Sequence, residues 1–525
     1  MSTTRALRLL FVMVLAIAVA ACGGDDDDGG SASGGGSGGD GDDDAFDPDG
    51  VLRYGAPLDG SGISGHLAPY ASTSVCDTLV LAPIYDTLTH KNPLTGELEP
   101  GLAESWEVVD EQTVELTLRA DVTFHDGTPF DAAAVKAGLE RNAAEDSAQT
   151  AASLAILDGV EAVDESTVRI TLNAPAAGSL PLILSGREGM IVAPGADDAD
   201  TAPVGAGPFR LTGQQPGETL SLERFDDYWN VDEVRLAGVE ILGTEAGPPT
   251  VNALLGDAID MSTVSADLLA GLEGNPGIEI AEQGSETYYK LNWNLAEPPF
   301  DSLEFRQAVN HAVDRQAVLD AVFEGRGSVA WSPFPETSYG YDPDVEGAYE
   351  YDPDRARDLL EESGVTDPSF TAFTPPTPLF VRFGEVIQAQ LAEVGIDMSF
   401  EQSTDIVQDY FTDKKQPATV ILWPPRPDPA DTLGIQFTPG SFNNVGNYTN
   451  DELTDLVSQV RATSDQGERE PLLQEAVSLV VDEALDLPVV FAPLLHAHSA
   501  DVGGEVVQNE NCQGLDFTKL QMGSG

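Results

Sequence analysis

Positive charge is scarce along this chain: 25 Lys and Arg face 89 Asp and Glu, a formal charge of −64 over 525 residues. Such a surface repels the phosphates of nucleic acid over most of its area, which all but excludes DNA or RNA as a partner. Only six of the basic residues are lysine and Asp is heavily used, a balance that keeps a protein hydrated in concentrated salt, where Coulomb repulsion is screened within a few ångströms. Yet 41% of the residues are hydrophobic, too many for wholesale disorder. The length exceeds what a single core organises, so two or three packed lobes follow.

The first 50 residues stand apart from those lobes. Arg5 and Arg8 precede an unbroken apolar run over 9–21, thirteen residues long, where a spanning helix needs about 20. This is a signal-peptide h-region rather than a transmembrane anchor. It runs into Val19-Ala20-Ala21-Cys22-Gly23, which resembles the bacterial lipobox, whose cysteine is diacylated and becomes the first mature residue. Residues 1–22 then form a lipoprotein signal peptide; ordinary cleavage near the same Ala-Ala is the alternative. Two acyl chains hold a protein stably on a membrane, each buried methylene contributing about 0.8 kcal/mol. No second apolar run reaches spanning length, so the remainder is expected to be soluble and extracytoplasmic. Residues 23–50 are almost entirely Gly, Ser and Asp and have nothing to bury, which makes them a disordered acidic tether with an end-to-end distance on the order of 30 Å. Their Asp runs lack the spaced ligands and turn of a calcium site.

Beyond residue 50 helix and strand signals mix. Asp131 precedes an Ala-rich helical stretch, Asp301 and Ser302 precede a helix expected over 303–322, and Asp352-Pro353 opens one that ends at Gly364. A further amphipathic stretch, 383–394, stops at Gly395. Short runs at 113–118, 167–172 and 418–423 read as strands. No repeat period is present, and the class is α/β or α+β with several sheets.

Catalytic constellations are missing: no His-Glu-x-x-His, Gly-x-Ser-x-Gly, Walker loop or dinucleotide fingerprint occurs. Six histidines leave little material for acid–base or metal chemistry, and no cofactor is implied. His496 and His498 fall on one face of a strand, as a metal pair or simply a buried one. Cys76 and Cys512 allow either a disulfide or two buried thiols; a bridge closing so long a loop restricts the unfolded chain by roughly 4 to 5 kcal/mol in the entropic picture.

Several ordered segments then carry a resemblance. They include Ile84-Tyr85-Asp86-Thr87-Leu88-Thr89, Glu99-Pro100-Gly101-Leu102-Ala103-Glu104-Ser105-Trp106 and Phe124-His125-Asp126-Gly127-Thr128-Pro129-Phe130. They continue with Gly205-Ala206-Gly207-Pro208-Phe209, Asp227-Tyr228-Trp229, Arg306-Gln307-Ala308-Val309-Asn310, Tyr351-Asp352-Pro353-Asp354 and Pro427-Asp428-Pro429. Together they resemble the extracytoplasmic solute-binding proteins of family 5, the peptide, opine and nickel receptors of ABC importers. Most of these residues have a structural reading of their own: His125 belongs to a turn and Arg306 to an ion pair or cap.

The resemblance implies a two-lobed clamp of the periplasmic-binding-protein type, class II, with an extra inserted subdomain. Lobe I takes about 51–80, 200–290 and 482–525, the insertion about 81–199 and lobe II about 291–481. Cys76 and Cys512 then fall in or beside one lobe, which favours the disulfide. The expected protein is a membrane-anchored, monomeric receptor that traps an oligopeptide or similar-sized solute by hinge closure and hands it to a permease with its ATPase subunits. A nickel or other metal-chelate receptor, a receptor for a small anionic solute and, from another class, a secreted hydrolase are the alternatives. Peptide-binding members place an Asp ahead of the Pro-Asp-Pro to hold the ligand's ammonium. Here Trp423-Pro424-Pro425-Arg426-Pro427-Asp428-Pro429 has none, and Arg426 instead offers a planar fork for a carboxylate or phosphate, or else faces solvent or another acid. Trp423, Arg426 and Asp428 are thus expected at the ligand, with His66, Tyr70, Tyr288, Asn292, Asn443 and Asn444 as further cleft candidates.

Overall fold

The computed structural model of the protein describes residues 46–58, 63–144, 150–424, 426–508 and 514–524. The signal peptide, Cys22, Cys512 and residues 23–45 of the expected tether lie outside the described residues; residues 46–50, which the sequence assigns to the tether, are instead packed on the chain's end, Phe46 bridging Gly523 and the Asp47 N–H donating to the Met522 carbonyl at 2.8 Å.

Three sheets organise the chain. The first has seven strands in the spatial order Ile278–Gln283, Leu494–Ser499, Met261–Thr263, Val51–Ala56, Gly238–Gly243, Thr219–Arg224 and Phe209–Gln215. Its central strand Val51–Ala56 runs parallel to both neighbours, and Leu52, Tyr54 and Ala56 are buried in the core of lobe I, as parallel strands covered on both faces require. The second sheet is the insertion: Ala103–Asp110, Thr113–Leu118, Thr167–Leu172 and Leu157–Ala162, all antiparallel. Thr113–Leu118 and Thr167–Leu172 bury every second residue. Their inward faces share a core with the helix Ala132–Asn142, started by the Asp131 carboxylate accepting from the Ala134 N–H at 2.8 Å.

The third sheet has six strands, Ser328–Val329, Leu487–Phe491, Tyr288–Trp293, Ala418–Trp423, Ser369–Thr374 and Asp397–Gln402, and is the frame of lobe II. The helix expected over 303–322 is two helices, Leu303–Ala312 and Arg315–Phe323. Val313 is extended, and Asp314 starts the second helix by accepting from the Ala317 N–H. Arg315 explains why the break is kept: its guanidinium donates to the carbonyls of Ala330, Pro488, Asn310 and Tyr349. Burial prevails over Tyr349 and Asp486 and pushes it down to about 9. The helix expected over 383–394 starts earlier, as Pro378–Glu393, and ends where Gly395 takes a positive φ of 91°. Arg306 likewise spends its donors on the carbonyls of Phe300, Glu483 and Ala484. His125 is held neutral in its turn, donating to the Gly207 carbonyl at 3.0 Å, with burial lowering it to about 4.

The strand Leu487–Phe491 lies in the lobe II sheet, where the sequence assigns 482–525 to lobe I; Tyr288–Trp293 also belongs to lobe II in full. The chain therefore crosses between lobes at 284–287 and again at 492–493. The crossings join strands paired antiparallel on both sides, Ile278–Gln283 with Leu494–Ser499 and Tyr288–Trp293 with Leu487–Phe491, and the Ala492 N–H donates to the Thr287 carbonyl between them. Two adjacent short crossings make a hinge.

Candidate ligand-binding cleft

The insertion and lobe II touch in this structure. The tip of the insertion meets lobe II where the Ser179 N–H donates to the Arg461 carbonyl at 3.2 Å, and Gly186 faces Pro427. A cavity of about 520 Å³ opens where the three parts converge. Phe209, Tyr228, Trp229 and Phe517 wall it from lobe I, Asp86, His90 and Arg187 from the segment entering and leaving the insertion, and Pro427 from lobe II.

Asp86 organises one wall. It sits just past the helix Thr78–Tyr85 at a φ of 56°, a backbone conformation that an L residue holds only under tertiary constraint. The constraint is visible: its carboxylate accepts from the Tyr228 hydroxyl and the Trp229 indole, both at 2.9 Å, from the Thr87 N–H at 2.7 Å and from His90 Nε2 at 2.5 Å. Two of the segments quoted above, Ile84 to Leu88 and Asp227 to Trp229, are thereby one structure. Burial works against the Asp86 charge, but His90 and the hydrogen bonds prevail and hold the carboxyl below its usual range. Burial likewise works against protonated His90, and Asp86 overrides it, so His90 is raised. Since the folded value lies above the unfolded one near 6.5, the stabilisation is whole below that pH and is lost as pH climbs through the folded value. We predict that His90→Gln removes a stability difference on the order of 1 kcal/mol or less, His90 being a third exposed. Denaturant titrations should find the wild type and variant converging from about pH 6 towards pH 9; a gap independent of pH would refute the pairing.

The sequence-derived candidates are only partly brought together. Trp423 and Tyr288 face each other across the Tyr288–Trp293 and Ala418–Trp423 pair and form a buried aromatic cluster with Phe491. The Arg426 guanidinium lies 5.7 Å from the Trp423 ring. Asp428 is fully buried, starts the helix Pro429–Phe437 and receives two 2.7 Å contacts from Arg469. Its carboxylate is thus committed within lobe II. His66 is paired with Asp200 at 2.8 Å, and Tyr70 accepts from Arg141 at 2.6 Å beneath its guanidinium; both tie lobe I to its surroundings away from Trp423. Asn292 donates to the Tyr410 hydroxyl. Asn444 closes its own loop by bonds to Thr438 and Tyr448, with Asn443 half-buried beside it. Cys76 is disulfide-bonded. His496 and His498 are both buried, and among the described residues no three His, Cys, Asp or Glu side chains gather as a metal-binding group.

Sequence reasoning missed the cluster beneath Trp423. Lys290 Nζ reaches Asp486 Oδ2 at 2.9 Å, each side chain 2% exposed, and also donates to Gln436 Oε1. The rings of Tyr288 and Trp423 lie 5.4 Å from the ammonium and that of Phe437 5.7 Å. The available signal was a rare lysine amid Tyr288-Tyr289-Lys290-Leu291-Asn292-Trp293.

The family model described as bacterial extracellular solute-binding proteins, family 5 middle, matches residues 97–444. The chain is 28% identical over 448 residues to di/tripeptide-binding protein 1 of Pseudomonas aeruginosa (strain UCBPP-PA14), covering 77% of this chain and 83% of that one. Its fold matches the ABC transporter-associated periplasmic binding protein DppA from Helicobacter pylori in complex with the peptide STSA, with a TM-score of 0.76, 25% identity and coverage of 92% and 99%. It also matches the binding protein AgaA from A. tumefaciens R10 in complex with agropinic acid, at TM-score 0.75, 25% identity and coverage of 90% and 99%. Two lobes joined by a double crossing, with a cavity lined mainly by lobe I and the insertion and touched by Pro427 of lobe II, and relatives that are binding proteins define a solute receptor that binds rather than turns over. More particularly, the chain belongs to the bacterial extracellular solute-binding proteins, family 5, which serve ABC importers of peptides, nickel chelates or opines together with permease and ATPase subunits. Among the described residues no helix is long and apolar enough to cross a membrane.

Proposed function

We propose that this protein is the lipid-anchored, monomeric receptor that captures an oligopeptide or a solute of similar size between its lobes and delivers it to the permease. The cavity carries the reading. Its volume of about 520 Å³ suits such a ligand, and a solute touching lobe I, the insertion and Pro427 at once binds the closed clamp preferentially, which is what shifts the population of the hinge. The di/tripeptide-binding relative supports a peptide-sized solute. The Ala20-Ala21-Cys22-Gly23 context supports the anchor.

Two measurements test it. Full-length protein in detergent should release a bound solute in native mass spectrometry, and small-angle scattering should record compaction when that solute is added back to stripped protein; absence of compaction would count heavily against closure. For the anchor, Cys22→Ala is expected to move the protein from the membrane to the soluble fraction, and continued membrane fractionation would refute lipidation.

A further inference from the structure

The described residues hold two hydrogen-bond donors, three positions apart at the end of the lobe II strand Ala418–Trp423, that meet no acceptor. Trp423 is 5% exposed and its indole Nε1 has no partner. Arg426 Nε is buried and equally unpartnered, 5.7 Å separating its guanidinium carbon from the Trp423 ring. Buried N–H groups in native proteins are almost always satisfied, and an unsatisfied one argues for an acceptor arriving from outside. Trp293 Nε1 is also unpaired, but it is stacked on Phe300 inside lobe II, whereas Trp423 pairs with Tyr288, the first strand residue past the hinge crossing. The residue after Arg426, Pro427, already lines the cavity.

Charge sharpens the argument. With 89 acids to 25 bases, carboxylates are abundant, yet the lobe II acids nearest Arg426 in the chain are matched to other cations, Asp428 to Arg469 at 2.7 Å and Asp431 to Arg461 at 2.7 Å. Glu188, on the insertion, is its leading electrostatic neighbour but makes no ion pair with it among the described residues. We propose that the transported solute carries a carboxylate and that Arg426 and the Trp423 indole N–H donate to its oxygens. This rests on the receptor function proposed above and names its substrate class. A planar guanidinium beside an indole N–H matches the two in-plane oxygens of a carboxylate; a neutral carbonyl would leave the Arg426 charge uncompensated. The anion then occupies the end of the strand where an ammonium partner, an Asp ahead of Pro427-Asp428-Pro429, is missing.

The test offers full-length protein in detergent a defined mixture: tripeptides as free acids, the same tripeptides as C-terminal amides, short mono- and dicarboxylic acids, and diamines of equal length. Native mass spectrometry identifies what is retained, and calorimetry measures each retained compound. We expect retention only of compounds with a free carboxylate, at least tenfold weaker binding of the matching amide, and at least a tenfold rise in Kd for Arg426→Ala. Arg426→Lys should recover part of the loss, with melting temperatures of the Arg426 variants unchanged, and Trp423→Phe, which keeps an aromatic ring but removes the N–H, should cost severalfold in Kd for carboxylates beyond its effect on the matching amides. Glu188→Gln should tighten binding. Peptide acids or free organic acids each support the proposal and identify the source of the carboxylate. A best ligand that is an amide or diamine, or an unchanged Kd in Arg426→Ala, overturns it while leaving the receptor intact. Retention of nothing overturns the receptor function and this inference with it.

Discussion

Asp486→Ala is expected to lower the unfolding free energy of lobe II by about 3–5 kcal/mol, the cost of leaving one member of a buried ion pair without its partner. Lys290 and Asp486 are each 2% exposed. Burial depresses the Lys290 pKa and Asp486 pulls it back, so removing the carboxylate strands an ammonium whose remaining contacts are Gln436 and three ring faces. Cation–π attraction of order 1–2 kcal/mol does not replace a desolvated carboxylate. Tyr288 loses an acceptor as well, its hydroxyl donating to Asp486 at 3.3 Å and Gln436 at 3.1 Å. The double variant Lys290→Met, Asp486→Leu should recover most of the loss, since two apolar side chains often pack as stably as a buried pair. Urea denaturation followed by tryptophan fluorescence reads both variants, Trp423 reporting directly from the cluster. A loss below about 1 kcal/mol for Asp486→Ala would mean that water reaches the pair and that Trp423 is oriented by packing alone.

That cluster also marks where the sequence stops being legible. The strands Thr113–Leu118, Thr167–Leu172 and Ala418–Trp423 are visible because apolar residues recur along them and their boundaries are local; the caps Asp131, Ser302 and Asp352 are visible because a cap acts within three residues. Lys290 and Asp486 are 196 positions apart, and no local pattern announces that a charged residue in a strand will be buried against another brought in at the start of the neighbouring strand Leu487–Phe491. Asp86 and Trp229, 143 positions apart, were both in plain view as parts of the family resemblance, but nothing in either segment says that one accepts from the other. Asp428 shows the opposite difficulty: the family pattern points to the ligand, while Arg469, 41 residues on, takes up its carboxylate. The break at Val313 was obscured because the apolar spacing continues through it, and only the cap at Asp314 and the tertiary bonds of Arg315 select two helices.

Closure itself depends on a residue chosen for having no side chain. A Cβ on Gly178 would stand 1.9 Å from the Thr463 carbonyl oxygen and 2.4 Å from its carbon, and neither backbone can yield easily. On the insertion side the tip is fixed by the N–H groups of Ala176 and Ala177 donating to the Glu111 carbonyl at 3.0 and 3.1 Å; on the lobe II side Thr463 ends the helix Asp451–Ala462. The three atoms nearest that Cβ all belong to lobe II, Thr463 and Ser464, so separating the lobes removes this obstacle. Gly178→Ala should therefore leave the stability of the unliganded protein nearly unchanged and raise the Kd of every solute by more than about tenfold, since apparent affinity falls in proportion to the population of the competent state. The uniformity is the diagnostic: position 178 lies outside the cavity wall, so acids, amides and peptides must lose affinity by the same factor, whereas Arg426→Ala discriminates between them. Calorimetry on two chemically different ligands, with scattering to follow compaction at saturation, separates the two effects. Equal affinities for Gly178→Ala and wild type would place the bound clamp further open than the contact of Ser179 with Arg461, and would move the energy of closure from the jaws to the hinge.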